Sequence, residues 1–404
     1  MGQPIARTAG GNPPWRTWRY TGGRRDLRLD FLRGFAVFAM VADHLEQPGT
    51  MRSWLSYLTG GNRFLVSMAE VFVFISGLVL GIVSCRVIAA QGVTAALRKV
   101  CRRVLMLYVF TMVATFVFAG VSTLTEMPWG EGKPIVRPVT WVVAVLTLHR
   151  AYAWCDVLLL YVLLVGCAPL ALLLLHHRRT VLLLAGSWVL WALAQRWPTQ
   201  LAVPWRIENN PIFPFAAWQV LFYTGLAIGY HRGRLAGWAR RISLTGYLAV
   251  LAALATVLIL AQVHSVALLA RVTPGSDPVA WGHQYFGKAE LRIGRLLAFA
   301  VVFGGAFALV TVLWRPLVTA FGWLFLPLGQ HALLGYGLHL GVLVLFTATV
   351  PVLPGVNETD PWVNSLVQLT GVGMVWVGVR FVPVARELAT ALGARITAMV
   401  MARQ

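Results

Sequence analysis

Ten runs of apolar residues mark out the chain, at 28–45, 64–84, 104–123, 155–175, 180–196, 213–230, 243–263, 293–313, 326–349 and 362–382. Each falls at about the 17–25 residues that a membrane-crossing helix uses. The pattern predicts an all-α polytopic membrane protein with about ten transmembrane helices. A further run, 138–150 (PVTWVVAVLTLHR), is apolar but short. It reads as a re-entrant or interfacial helix, whose ends must be covered by protein or water. The last stretch, ARELATALGARITAMVMARQ, has the spacing of a basic amphipathic helix lying on the inner membrane surface. The chain thus divides into a basic N-terminal segment (1–23), a transmembrane domain (24–382) and an amphipathic tail (383–404).

Charge sets the orientation. Basic clusters such as RTWRYTGGRRDLR, RKVCRR, HHRR and HRGR sit between apolar runs. With the N-terminal arginines in the cytoplasm, the loops Arg86 to Arg103, His176–Arg179, His231–Arg241 and Trp314–Arg315 all fall inside. The loops EMPWGEGKP, RWPTQLAVPWRIENNP, 264–290 and VLPGVNETDP fall outside. Ten crossings satisfy the positive-inside rule with both termini cytoplasmic. The first span then serves as its own uncleaved signal.

Composition narrows the class. Of 404 residues, 58% are hydrophobic and 12% charged, more apolar surface than a water-soluble domain can hide. The formal net charge of +20 suggests acidic partners, but its clusters meet lipid headgroups, and no nucleic-acid-binding motif is present. The four cysteines, Cys85, Cys101, Cys155 and Cys167, form no CxxC pair, so they imply packing and no metal site.

Ionisable residues inside spans carry the chemistry. On the first helix, Asp30 and His44 are fourteen residues apart, about 40° in projection and about 21 Å in rise. Arg33 lies about 20° from His44, so Asp30, Arg33, Val37 and His44 share a stripe. Charges at such depth cost about 2.5–3.5 kcal/mol each unless they face protein or water. The stripe therefore implies a packed interior or a channel. Snorkelling anchors account for Arg28, Asp30 and Arg33 on the plainer reading.

The second span holds Glu70 near its outer start, with Gly77, Gly81 and Ser84 close to the same face, a stripe that suits helix packing. Asp156, Lys288, Glu290, Arg292 and Arg295 lie at the outer level, and His331 and His339 punctuate the ninth span. A histidine beside a carboxylate can take a proton from a hydroxyl, or act as a nucleophile. No GxSxG elbow, P-loop or HExxH is present.

Six segments, in order along nearly the whole chain, resemble the OpgC family of osmoregulated periplasmic glucan succinyltransferases, within the acyltransferase-3-like transmembrane group. They are RDLRLDFLRG…DH, AEVFVFISGLVLG, LTLHRAYAWCDVLLLYVLL, NPIFPFAAWQVLFYTGLAIG, FGKAELRIGRLLAF and LGQHALLGYGLHL. The chain departs from the family pattern at IFPFAAW and at Ala-Tyr-Ala-Trp-Cys, both in outer regions suited to an acceptor.

The resemblance implies a bacterial inner-membrane enzyme using succinyl-CoA or another acyl-CoA as donor substrate and a periplasmic glucan as acceptor, with no bound cofactor. It implies His44 as the catalytic residue beside Asp43 and Glu70, with Asp30 and Arg33 along the donor path. Arg28, Arg33, Arg98, Arg102 and Arg103 would hold the CoA phosphates. Asp156, Gln219, Lys288, Arg295 and His339 are candidates for the acceptor or the acyl group. Direct transfer and an acyl-histidine intermediate both fit, and a homodimer is left open. The alternative from another class is a transporter or flippase for a glycan or acyl-linked substrate.

Overall fold

In the computed structural model, all ten apolar runs are helical. The structure describes residues 21–22, 25–46, 53–59, 65–125, 137–198, 200–239, 243–263, 282, 284–349 and 360–401; all but two residues of the segment 1–23 lie outside that set. The chain divides into two compact units, Met1–Arg63 with Ala306–Gln404, and Phe64–Gly305.

The first unit opens with a two-residue antiparallel hairpin, Thr21–Gly22 against Arg25–Asp26. Helix α1 (Leu27–His44) follows, with Asp26 as its N-cap accepting from the Arg28 backbone. After it come α2 (Trp54–Thr59), and, beyond the second unit, α12 (Trp314–Gln330), α13 (Ala332–Thr349) and α14 (Pro361–Met401). The second unit contains α3 (Met68–Gln91), α4 (Val93–Thr125), α5 (Pro138–Leu146), α6 (Asp156–His176), α7 (Thr180–Arg196), α8 (Phe215–Tyr230), α9 (Arg232–Ala239) and α10 (Leu244–Val263). Helix α11 (Ile293–Val312) runs across the division.

Among the described residues, six helices are long and apolar enough to cross a membrane: Met68–Gln91, Val93–Thr123, Asp156–His176, Ile293–Val312, Ala332–Thr349 and Pro361–Val382. Helix α1 matches them in length but carries Arg28, Asp30, Arg33 and Asp43. Their outer faces stay apolar: Leu105, Val113, Val117, Leu170, Leu309 and Leu366 are all exposed. Such a surface needs lipid around it. Helix α5, at nine residues, is far too short to cross.

The structure revises three sequence boundaries. Arg86 to Arg103 is not a loop: α3 continues to Gln91, Gly92 turns the chain at φ +82°, and α4 starts at Val93. Long basic side chains can reach the interface from such helical extensions. The run 326–349 is not one helix but the end of α12 and all of α13, broken at His331. Pro327 contributes here, because it lacks the N–H that would bond the Trp323 carbonyl four residues back. That carbonyl instead accepts Trp376 Nε1 from α14 at 3.0 Å. Finally, the backbone of α14 stays helical past 382 to Met401, so no break sets off the tail.

Helix α12 lies across the start of α1. The Trp314 ring at its beginning meets Phe31 at 6.1 Å, while Gly329 at its end packs on the Asp30 carbonyl. Helix α13 then runs alongside α1, with Gly335 against Val37 and His339 against His44.

Glycines permit the closest contacts. In the second unit, α3 and α8 each carry Gly-x-x-x-Gly. Gly77 and Gly81 rest on the carbonyls of Phe222 and Leu226, and Gly225 and Gly229 rest on those of Phe74 and Leu78. The small-residue stripe beneath Glu70 is therefore a helix-packing seam. Gly77→Leu is expected to destabilise by at least about 1–3 kcal/mol through overpacking, read as a lower unfolding temperature in detergent. Gly120→Ala, where the added methyl meets nothing within 4 Å, is expected to be neutral or stabilising by up to about 1 kcal/mol.

Candidate functional site

At the C-terminal end of α1, His44 Nδ1 lies 3.0 Å from His339 Nε2 of α13, with ring centroids 4.9 Å apart. His339 is completely buried, whereas His44 is partly exposed. The Tyr336 ring packs 5.6 Å from the His339 ring, one turn earlier on α13. Two neutral imidazoles share only one proton across such a contact. If His44 Nδ1–H donates to His339 Nε2, the lone pair of His44 sits on Nε2, the nitrogen turned away from its partner. That tautomer is competent as a general base or a nucleophile.

Asp43, next in the chain, points elsewhere. Its Oδ1 accepts the Thr59 hydroxyl of α2 at 2.5 Å. The carboxylate thereby ties the short helix α2 to the turn that carries His44.

The opposite end of α1 holds that helix's other charges. Arg28 grips Asp26 with two nitrogens (3.1 and 2.9 Å), donates to Thr311 Oγ1 at 3.0 Å and lies 4.6 Å from the Phe307 ring centre. Its guanidinium thus pins α1 to the end of α11. Asp30 is buried, with Arg33 at 3.8 Å and Oδ2 accepting no hydrogen bond among the described residues. Arg33 also reaches the Gly329 carbonyl at 3.5 Å. Between these charges and His44, Val37 is fully buried against Gly335. Of the two sequence readings of the stripe, the packed interior holds at that level.

The second unit gathers the other candidates. Glu70 is fully buried at the first turn of α3, where one oxygen takes Arg295 Nε and the other takes the N–H (2.9 Å) and hydroxyl of Ser67. One turn on, Phe74 stacks edge-on against Phe299 and Phe303 of α11, at 5.3 and 4.8 Å. The segment before Arg295 is stitched in place: Trp191 donates to the Leu291 carbonyl, Gln195 to Glu290 and Trp218 to Ala289. Gln219 is also satisfied internally, its Oε1 accepting from Ser187 Oγ and its Nε2 donating to the Ser187 and Ala216 carbonyls. Asp156, partly buried, accepts from the Val157 N–H at 2.7 Å, with Lys288 in electrostatic reach. Arg102 and Arg103 are exposed on α4.

The structure therefore brings His44 and His339 together, Asp30 with Arg33, and Glu70 with Arg295. The sequence names His339 and Arg295 as candidate site residues but gives no sign that they pair with His44 and Glu70. Sequence reasoning missed Ser67, although Ser67-Met-Ala-Glu70 has the S-x-x-E spacing of a capping box. Among the described residues no group of His, Cys, Asp and Glu could hold a metal ion.

A family model described as OpgC protein matches residues 25–386, nearly the whole chain. No curated protein and no solved structure matches. The segments that form both halves of the histidine pair, and the clasp around Glu70, all fall inside that match. The chain belongs to the OpgC family, and with that membership comes the class of the protein: a transferase of the acyltransferase type, built on membrane helices.

Proposed function

We propose that this chain transfers a succinyl or related acyl group from cytoplasmic acyl-CoA to a hydroxyl of a periplasmic glucan, with His44 handling the proton. The observation that carries the reading is the His44–His339 contact at 3.0 Å. In the direct route, the glucan oxygen attacks the thioester carbonyl while His44 Nε2 takes its proton. The C–S bond then breaks, and the imidazolium returns the proton to the leaving thiolate. An ester and free CoA result. The same lone pair also fits a transient acyl-imidazole.

His339 is assigned the part of an acceptor that holds His44 in the productive tautomer and supports the imidazolium. Glu70 and Arg295 are assigned a positioning part, because each engages the other. Arg33, beside Asp30, is our candidate for donor recognition, with Arg28 shaping that end of α1; Arg102 and Arg103 on α4 remain candidates for the CoA phosphates.

The matching topology has ten crossings of a bacterial inner membrane with both termini cytoplasmic. It is supported by α12 lying across α1, which leaves α11 and α13 as neighbouring crossings. It places His44 at the periplasmic end.

His44→Ala is expected to lower acylation at least about 100-fold, with size-exclusion profile and unfolding temperature unchanged. Wild-type acylation in that variant would overturn the assignment. His339→Ala should give a smaller loss, confined to kcat. Arg33→Ala should raise the KM for acyl-CoA more than that for glucan; an unchanged donor KM removes Arg33 from this part. Glu70→Gln or Arg295→Leu should instead cost about 3–5 kcal/mol of stability, because each strands a buried charge or donor, and denaturation in detergent reads this directly. Free CoA released from succinyl-CoA only when glucan is present selects the transferase over a carrier.

A further inference from the structure

The first unit, which holds the histidine pair, also presents three exposed aromatic rings. Trp54 and Tyr57 of α2 and Trp362 at the start of α14 are 53%, 64% and 70% exposed. Their ring centroids are 6.1 Å (Trp54–Tyr57) and 5.6 Å (Trp54–Trp362) apart, tilted by 32° and 54°. The three faces make a shallow cradle.

What holds the cradle is not apolar packing. Helix α2 has six residues, too few to be stable alone. It is fixed instead by a buried polar clip. Ser53 Oγ donates to Gln368 Oε1 at 2.6 Å and contacts Ser56 Oγ at 2.7 Å, and the Trp54 N–H donates to Ser365 Oγ at 2.9 Å. Ser53 and Gln368 are completely buried. At its other end, α2 is tied by Thr59 to Asp43, the neighbour of His44. The polar network thus fixes exposed rings at a set position relative to the catalytic imidazole. Aromatic residues that only mark membrane depth need no such fixing, since the interface accepts them in any lateral position.

We propose that Trp54, Tyr57 and Trp362 form the acceptor subsite, stacking against the C–H faces of glucose rings and presenting a hydroxyl to His44. The inference rests on the transferase reading above and names where the acceptor binds. β-Linked glucopyranose fits the chemistry: its hydroxyls are equatorial, so both ring faces are apolar, and an aromatic face pairs with them without demanding one linkage.

The test uses full-length protein in detergent carrying His44→Ala, so that no turnover complicates binding. Tryptophan fluorescence is titrated with a panel of short β-linked gluco-oligosaccharides covering every linkage. At least one is expected to quench, and Trp54→Ala or Trp362→Ala to weaken its Kd by about tenfold or more, a change of about 1.4 kcal/mol. Trp→Phe at either position should restore most of the affinity. Where an alanine variant fails to fold, Tyr57→Ala, at a ring more exposed than Trp54, carries the same expectation. Unchanged affinity in folded variants, or no binding by any oligosaccharide, overturns the proposal. So does weaker retention in lipid vesicles with unchanged sugar affinity, the result expected of an interfacial belt. In the His44-intact protein, glucan acylation with an unaltered acceptor KM in the variants sinks this subsite alone. Cradle-dependent sugar binding without any acylation sinks the transferase reading alone.

Discussion

A charge buried among apolar helices has to be answered from within the protein, because the hydrocarbon around it offers no water. Each unit of this chain obeys that constraint through pairs drawn from distant segments. Glu70 takes Arg295 and Ser67, so the first turn of α3 is locked to α11 at a level where both are buried. Arg28 takes Asp26, Thr311 and the Phe307 face, which joins the N-cap of α1 to the end of α11. The glycine seams serve the same end. With Gly77 and Gly229 seated on carbonyls, the backbones of α3 and α8 come into direct contact.

The elements were legible wherever length and composition alone decide them. Each of the ten apolar runs is helical, and 138–150 contains a helix too short to cross. Helix α12 escaped notice because Pro316–Gln330 is apolar without a polar break, and only the proline at 327 hints that a helix ends there. Gly92 likewise breaks what looks like a charged loop, and helix caps of this kind carry little hydropathy signal. The site was half legible. His44, Glu70, Arg295 and His339 all stand out in the sequence, but their pairing does not, because the partners lie hundreds of residues apart and pairing is set by tertiary packing. The family resemblance sets Asp43 beside His44. The Asp43 side chain goes to Thr59, as neighbours on a helix point about 100° apart.

The two kinds of pair differ in what they leave available. In the Glu70–Arg295 clasp both carboxylate oxygens are engaged, and the ion pair neutralises the charge that a proton acceptor would use. In the histidine pair Nδ1 of His44 is held against His339, and His44 is the more exposed of the two rings. A ring held through one nitrogen suits the proton handling proposed for His44, and a saturated carboxylate suits a helix junction.

The closed stripe on α1 bears on how such a protein can work across a membrane. Arg33 and His44 lie on one face of one helix, yet Val37 between them is sealed against Gly335. A carrier must pass its whole substrate, charges included, through that level, which demands that the packed seam open to ionic groups. Under the transfer proposed above, only the acyl end and its thioester would have to reach the far side, with the donor's phosphates kept at the arginine end. Those groups are small and uncharged apart from any carboxylate at the acyl tip. Within the first unit, an apolar plug between a charged end and a histidine end therefore favours group transfer over transport.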